Sequence, residues 1–211
     1  MSILNDICQK LQEGKSKDVK ALVEQAISEG LGAKKILEEG LLPGMSIIGD
    51  KFKNNEVYVP EVLIAARAMK AGTDTLNPYL KSENVQPLGK ICIGTVKGDL
   101  HDIGKNLVKM MMEGKGIEVV DLGVNVEPEQ FAAAVKEQGC TIVCMSALLT
   151  TTMGVMKDVV DLFTAEGIRD KAKLMIGGAP ITDAYCKSIG ADGYTSDAAS
   201  AADLAAEWLK K

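Results

Sequence analysis

The chain has 211 residues, 24 of them basic and 29 acidic, giving a formal charge of −5 with 46% hydrophobic and 25% charged residues. That length can hold one large domain or two small ones with buried cores, and the balance is that of an ordinary soluble globular protein. A pI near 5.1 and the lack of any Lys/Arg cluster argue against a phosphate-backbone partner.

At the amino terminus a charge already stands at Asp6, too early for a secretory leader. Ile3, Ile7 and Leu11 then recur on one helical face, and Gly14 closes that segment. Ser16 is an expected N-cap for the next helix. There Val19, Leu22, Val23, Ala26 and Ile27 follow the i, i+3, i+4, i+7, i+8 rule up to Gly30. A third helix carries Ile36, Leu37 and Leu41 as far as Pro43, and a short fourth carries Met45, Ile48 and Phe52. Pro60 suits the first turn of a long helix running through Ala65, Ala68 and Met69 toward Leu76. The first part thus reads as a helical bundle, residues 1–86, and the polar, proline-containing stretch Lys81–Pro87 reads as a linker.

Beyond it strands and helices alternate. Strands are expected at 91–95, 118–122, 141–145, 173–176 and 193–195, with helices near 103–113, 127–138, 152–166, 182–189 and 197–210. Short apolar strands alternating with helices mean βαβ units and a parallel sheet covered on both faces. The class is therefore α/β, a helical bundle followed over 87–211 by a flavodoxin-like, doubly wound five-stranded sheet. The uncharged run 138–156 is broken by Ser146 and by Thr150, Thr151 and Thr152, so it is expected as a buried strand and its loop, not a membrane span. Five cysteines (Cys8, Cys92, Cys140, Cys144, Cys186) are odd in number and form no C-x-x-C pair. Neither a disulfide framework nor a zinc site is expected, and the reducing cytoplasm is the expected compartment.

Ligands of such sheets bind beyond the carboxyl ends of the strands, and there the informative residues fall. The only histidine, His101, lies in Gly98-Asp99-Leu100-His101-Asp102-Ile103-Gly104, directly after the first strand. It sits in a polar, glycine-flanked loop, with a carboxylate two residues before it, and suits a metal ligand with a supporting partner. The loop after the third strand reads Ser146-Ala147-Leu148-Leu149-Thr150-Thr151-Thr152, and the loop after the fourth reads Gly177-Gly178-Ala179-Pro180. Singly, these two read as helix capping and a tight turn; together on successive strand ends they point to a binding site. Neither G-x-G-x-x-G nor a G-K-[ST] loop is present.

D-x-H-x-x-G (Asp99, His101, Gly104), S-x-L (Ser146, Leu148) and G-G (Gly177, Gly178) resemble the signature of the cobalamin-binding domain. That domain is shared by methionine synthase, the methylmutases and the small corrinoid proteins of methyltransferase systems. Asp121-Leu122-Gly123-Val124 also fits, and Tyr58-Val59-Pro60 to Met69 resembles the helical cap of the methyl-transferring branch. The resemblance implies that His101 ligates the cobalt of a cobalamin or related corrinoid. Neutral imidazole suits that role, and Asp99 can accept the other ring N–H. It implies a relay onward to a hydroxyl, for which Thr152 matches best, where related sequences have serine. It implies a slot for the cofactor's nucleotide tail, with Gly177 and Gly178 leaving room and Ser146 and Leu148 on the wall. Gly98, Asp102, Ile103, Thr150 and Ala179 belong to the same loops and are expected to contact the cofactor. Tyr58, Val62, Ala65 and Met69, on one helix face, are candidates to cover the upper corrin face, with packing inside the bundle as the alternative.

No barrel for activating a methyl donor fits in this length. The resemblance then implies a chain that carries a methyl group on cobalt between two partners. One is a substrate-specific methyltransferase, for methylamines, methanol, methylated glycines or phenyl methyl ethers. The other is a methyltransferase acting on a tetrahydrofolate or thiol acceptor. A reductive activator protein is implied too, for cobalt that has oxidised, and a bundle able to swing about Lys81–Pro87. The alternative is a cobalamin-binding sensor, though no DNA-binding module is visible.

Overall fold

The computed structural model describes residues 2–210. Its contacts divide the chain into two compact units, one reaching to Pro87 with Gly114–Gly116 added, the other formed by Leu88–Glu113 and the residues from Ile117 on.

The first unit is helical: α1 (Ile3–Gln12), α2 (Ser16–Ser28), α3 (Ala33–Ile36), α4 (Leu42–Lys53) and α5 (Val59–Ser82). α5 packs on α1, α2 and α4 through Val62, Ala65, Ala68, Met69, Gly72 and Leu76, all buried. Gly72 lets α5 approach closely, since a Cβ there would stand 2.7 Å from Leu41 and 3.1 Å from Val19 and force their side chains to shift. Three local expectations are corrected. Ser16 is the first helical residue, not the cap: the N-cap of α2 is Lys15, which makes no side-chain cap bond. Pro43 does not break the chain into separate helices. A π-helical turn, Leu37–Leu41, joins α3 to α4, with the Leu42 N–H donating five residues back to the Leu37 carbonyl, and Pro43 takes a first-turn place where no N–H is needed. α5 continues past Leu76 through Pro78 to Ser82. Asp74, whose carbonyl loses its partner to the proline, is exposed, so that group is not stranded in the core. The connection to the next strand is therefore 83–89. At its start the Glu83 carboxylate accepts the Ala33 N–H at 2.8 Å and the Lys34 N–H at 3.1 Å, capping α3.

The second unit is a parallel sheet of β1 (Lys90–Val96), β2 (Glu118–Val126), β3 (Ile142–Ser146), β4 (Lys173–Gly177) and β5 (Gly193–Tyr194), in the order β2-β1-β3-β4-β5. This is the flavodoxin-like doubly wound order. Its helices are α6 (Ile103–Glu113), α7 (Pro128–Gln138), α8 (Gly154–Ala165), α9 (Asp183–Ile189) and α10 (Ala198–Leu209). Cys92, Val96, Val143, Met145, Leu174 and Ile176 meet Phe131, Met156, Val159 and Phe163 of α7 and α8 in one core. Ile91, Ile93, Ile142, Cys144 and Met175 are buried too and alternate to the opposite face, where α6 and α10 pack together. β2 outruns its expected end at 122 by reaching Val126. Gly123 (φ 84°) and Asn125 (φ 54°) occupy left-handed conformations there, and the β1–β2 register shifts accordingly. Among the described residues no helix is long and apolar enough to cross a membrane.

Candidate cofactor site

The carboxyl ends of β1, β3 and β4 lie side by side, with Thr95 paired to Ser146 and Ser146 to Gly177. The loop leaving β1 is tied at several points. Gly98 turns with φ 81° and donates its N–H to Asn125 Oδ1 at 2.8 Å. Asn125 N–H donates to the Asp99 carbonyl at 3.0 Å, and Thr95 Oγ1 donates to the His101 carbonyl at 2.8 Å. Thr95 is fully buried.

Within this frame the Asp99 carboxylate is a hub. Its Oδ1 lies 2.7 Å from His101 Nδ1 and accepts the His101 N–H at 3.0 Å. Its Oδ2 accepts the N–H groups of Leu148 at 2.7 Å and Leu149 at 3.2 Å. The carboxylate is wholly buried while the imidazole is 54% exposed. Burial pushes Asp99 up, but the N–H donors of His101 and Leu148, the imidazole and Leu149 N–H outweigh it and hold the group well below the usual carboxylate range. An ionised carboxylate can only accept, so Nδ1 carries a proton, and in the neutral ring Nε2 holds the lone pair. The loop therefore presents a tautomerically fixed, outward imidazole nitrogen.

Thr152 is brought to this hub, but its part differs from a simple relay. Its single hydroxyl proton has two acceptors, the Leu149 carbonyl at 2.9 Å and Asp99 Oδ2 at 3.3 Å, and the shorter contact is within its own turn. Its methyl group faces Gly98, where a Cβ would stand 3.3 Å from Thr152 Cγ2. The extra carbon of threonine is thus accommodated by a glycine.

Around the imidazole the side chains are apolar and unusually open: Leu100 is 71% exposed, Ile103 78%, Leu148 44% and Leu149 40%. Asp102 stands at the start of α6, accepting from Asn106 at 3.0 Å. Gly104 has nothing within 4 Å of a Cβ position, and Thr150 and Ala179 are exposed. The two glycines after β4 behave differently. At Gly177 a Cβ would meet nothing within 4 Å, whereas at Gly178 (φ 129°) it would meet the Ala147 carbonyl oxygen at 1.8 Å. At Gly178 the glycine is required so that one backbone can pass close to another. The open position is Gly177, beside the half-buried Ser146.

Of the four bundle candidates, three take the alternative of packing inside the bundle. Val62 and Ala65 are fully buried and Met69 is 5% exposed, held in the interior of the helical unit by the close packing of α5. Only Tyr58 of the four is exposed, and the open large hydrophobic side chains along α5 include Leu63, Ile64 and Tyr79. The 3.6-residue period identifies one face of a helix but not whether that face looks in or out. Thr95, Asn125, Leu100 and Leu149 were not singled out by sequence. Asn125 alone carried a signal, because asparagine readily takes positive φ.

Among the described residues no group of three His, Cys, Asp or Glu could hold a metal ion. A bare ion would have one protein ligand here, too few for retention. A metal that brings its own equatorial macrocycle needs only one axial nitrogen, and the open apolar rim suits the face of a large ring. The residues present therefore fit a corrinoid.

Comparison with known proteins agrees. A B12 binding domain model matches residues 89–203 and a second B12 binding domain model matches residues 3–77. The chain belongs to the B12-binding family of corrinoid proteins. It is 36% identical to a corrinoid protein of Desulfitobacterium hafniense, covering 100% of this chain and 99% of that one. It is 39% identical to the dimethylamine corrinoid protein of Methanosarcina barkeri, covering 98% and 97%. Among solved structures, a cobalamin-binding protein from Desulfitobacterium hafniense superposes with a TM-score of 0.80 at 31% identity, over 97% of this chain and 98% of that one. The methanol:cobalamin methyltransferase complex of Methanosarcina barkeri gives 0.87 at 28% identity, over 99% and 80%.

Proposed function

We propose that this protein is the methyl-carrying corrinoid subunit of a methyltransferase system, loaded by a substrate-specific methyltransferase and unloaded by a second one. The observation that carries this reading is the Asp99–His101 pair, a buried carboxylate orienting an open imidazole amid apolar side chains at the sheet's carboxyl edge. Bound there, the corrinoid cobalt supplies a nucleophilic centre that accepts a methyl group and gives it up again. The chain's own residues do the rest. His101 Nε2 would hold the cobalt, and Asp99 would keep the ring in the ligating tautomer. The N–H groups of Leu148 and Leu149 keep Asp99 ionised and in place. Ile103, Leu100 and Leu148 keep water from the ring face. Gly177 and Ser146 border the slot for the nucleotide tail.

A methylated amine is the favoured donor class, supported by several dimethylamine corrinoid proteins and a trimethylamine corrinoid protein among relatives 38–41% identical. Those names, spanning nearly the whole chain, support a carrier over a sensor. An acceptor methyltransferase and a reductive activator complete the proposed system. The test is to load the purified protein with cobalamin, reduce it, and add a dimethylamine methyltransferase with dimethylamine, using a methanol methyltransferase with methanol as contrast. Stoichiometric demethylation of dimethylamine is expected. No demethylation of either substrate, with cobalamin bound, would refute the carrier role.

A further inference from the structure

Tyr185, on α9, takes no part in the site as described so far. Its ring packs, half-buried, against the core of the sheet unit, and its hydroxyl donates to the Met153 carbonyl at 2.7 Å. Burial pushes its ionisation up, so the hydroxyl remains a donor at neutral pH. Met153 directly follows Thr152 at the end of the loop leaving β3, and its carbonyl also accepts the Met156 N–H at 3.0 Å where α8 begins. α9 in turn follows the Gly177–Gly178 loop, with Thr182 capping it through Tyr185 N–H at 3.2 Å.

The loops after β3 and β4 are the two sides of the proposed tail slot. They are joined at one end by backbone, where Ala147 N–H donates to the Gly177 carbonyl at 3.1 Å and Gly178 passes against Ala147. On its side toward β1, the β3 loop is held by Asp99, through Leu148, Leu149 and Thr152. On its side toward α9, the side-chain tie is Tyr185. Without it, the segment from Thr150 to Met153 would keep its tie to the Asp99 carboxylate but lose its side-chain tie to α9.

We infer that Tyr185 is a positioning residue that fixes the spacing between the β3 loop and α9, and so determines the preference for corrinoids with a complete nucleotide tail. This rests on the corrinoid reading above. A tail that enters the slot needs both sides in place, whereas a corrinoid lacking the tail needs only His101 and the apolar rim. The hydroxyl is the part that matters, because a phenylalanine ring would keep the packing and lose the tie.

The test compares wild type and Tyr185→Phe with two probes, cobalamin and cobinamide, the second lacking the nucleotide tail. Losing one hydrogen bond of this kind predicts a fall of about three- to tenfold in cobalamin affinity with cobinamide affinity unchanged. In the cofactor-free variant, faster hydrogen exchange is expected at the Thr152 and Met156 amides, with the central strands unaffected. An unchanged cobalamin-to-cobinamide ratio in Tyr185→Phe, with wild type preferring cobalamin, would overturn the role of Tyr185 and leave the corrinoid reading intact. Wild type binding neither probe would overturn both.

Discussion

His101 depends on its neighbours more than on itself: one carboxylate oxygen fixes its ring, and two backbone N–H groups from the loop after β3 fix that carboxylate. His101→Ala is expected to shift the visible spectrum of the cobalamin-loaded protein away from the histidine-ligated form while leaving some cofactor bound through the tail slot. An unchanged spectrum would remove His101 from the cobalt. Asp99→Asn keeps the shape but presents an amide where an anion received backbone donors, so weaker ligation and a loss of about 10–100-fold in affinity or methyl transfer are expected. The glycines after β4 separate steric room from backbone need. Gly177→Val should lower cobalt per protein with an unchanged melting temperature, since its Cβ meets nothing. Gly178→Val should destabilise the fold by more than about 1 kcal/mol, measured by urea denaturation, because any side chain there collides with Ala147. Equal loading of Gly177→Val and wild type would leave that position outside the slot.

At the scale of elements, α6 is fastened to β2 by an ion pair that the helical period does not announce. Lys105, its side chain 2% exposed, meets Asp121 Oδ1 at 2.7 Å, and Lys109 meets Oδ2 at 3.1 Å. Burial pushes Asp121 up, but Lys105, the Gly123 N–H and Lys109 more than offset it and lower the group from 3.8 to about 2. The folded value lies below the unfolded one, so this contribution is complete above about pH 4 and is lost as the pH falls toward 2. The stability gap between wild type and Asp121→Asn should therefore narrow between pH 7 and pH 3, as read from urea midpoints; a constant gap would refute the pairing. Asp121→Ala leaves the buried Lys105 ammonium with Asn106 Oδ1 but without its counter-charge and should cost about 3 kcal/mol, whereas Lys105→Met should cost less. Since α6 begins at Ile103, two residues beyond His101, loosening it should also broaden the histidine-ligated spectrum.

At the scale of the molecule, each unit has its own buried interior and its own source of stability. The corrinoid contacts assigned above lie in the sheet unit. A ligand at 100 times its dissociation constant adds about 2.7 kcal/mol to the folded state that binds it. Cobalamin should therefore slow hydrogen exchange in β1, β3 and β4 by about two orders of magnitude in their deepest amides. The effect should be much smaller in His101→Ala. Equal protection without and with cobalamin in those strands would place the cofactor elsewhere.

Much of this protein is legible in its sequence. Alternation of short apolar runs with helices specified the parallel sheet, because strands buried on both faces must be apolar throughout, and the loops at the strand ends then marked the site. The start of α6 near residue 103 and the end of β1 just before His101 follow from patterns within a dozen residues. Other features depended on contacts distant in sequence. Only the fold brings Leu148 and Leu149 N–H groups to Asp99, sets Asn125 under Gly98, or shows that Gly177 faces open space while Gly178 faces Ala147. The inward face of α5 was decided the same way: Val62 and Met69 have the spacing of an exposed stripe and of a core stripe alike, and packing against α1, α2 and α4 chose the core. Periodicity and motif spacing are local and survive in the sequence; which face is buried, and which polar group finds which partner, is settled only when elements far apart in the chain meet.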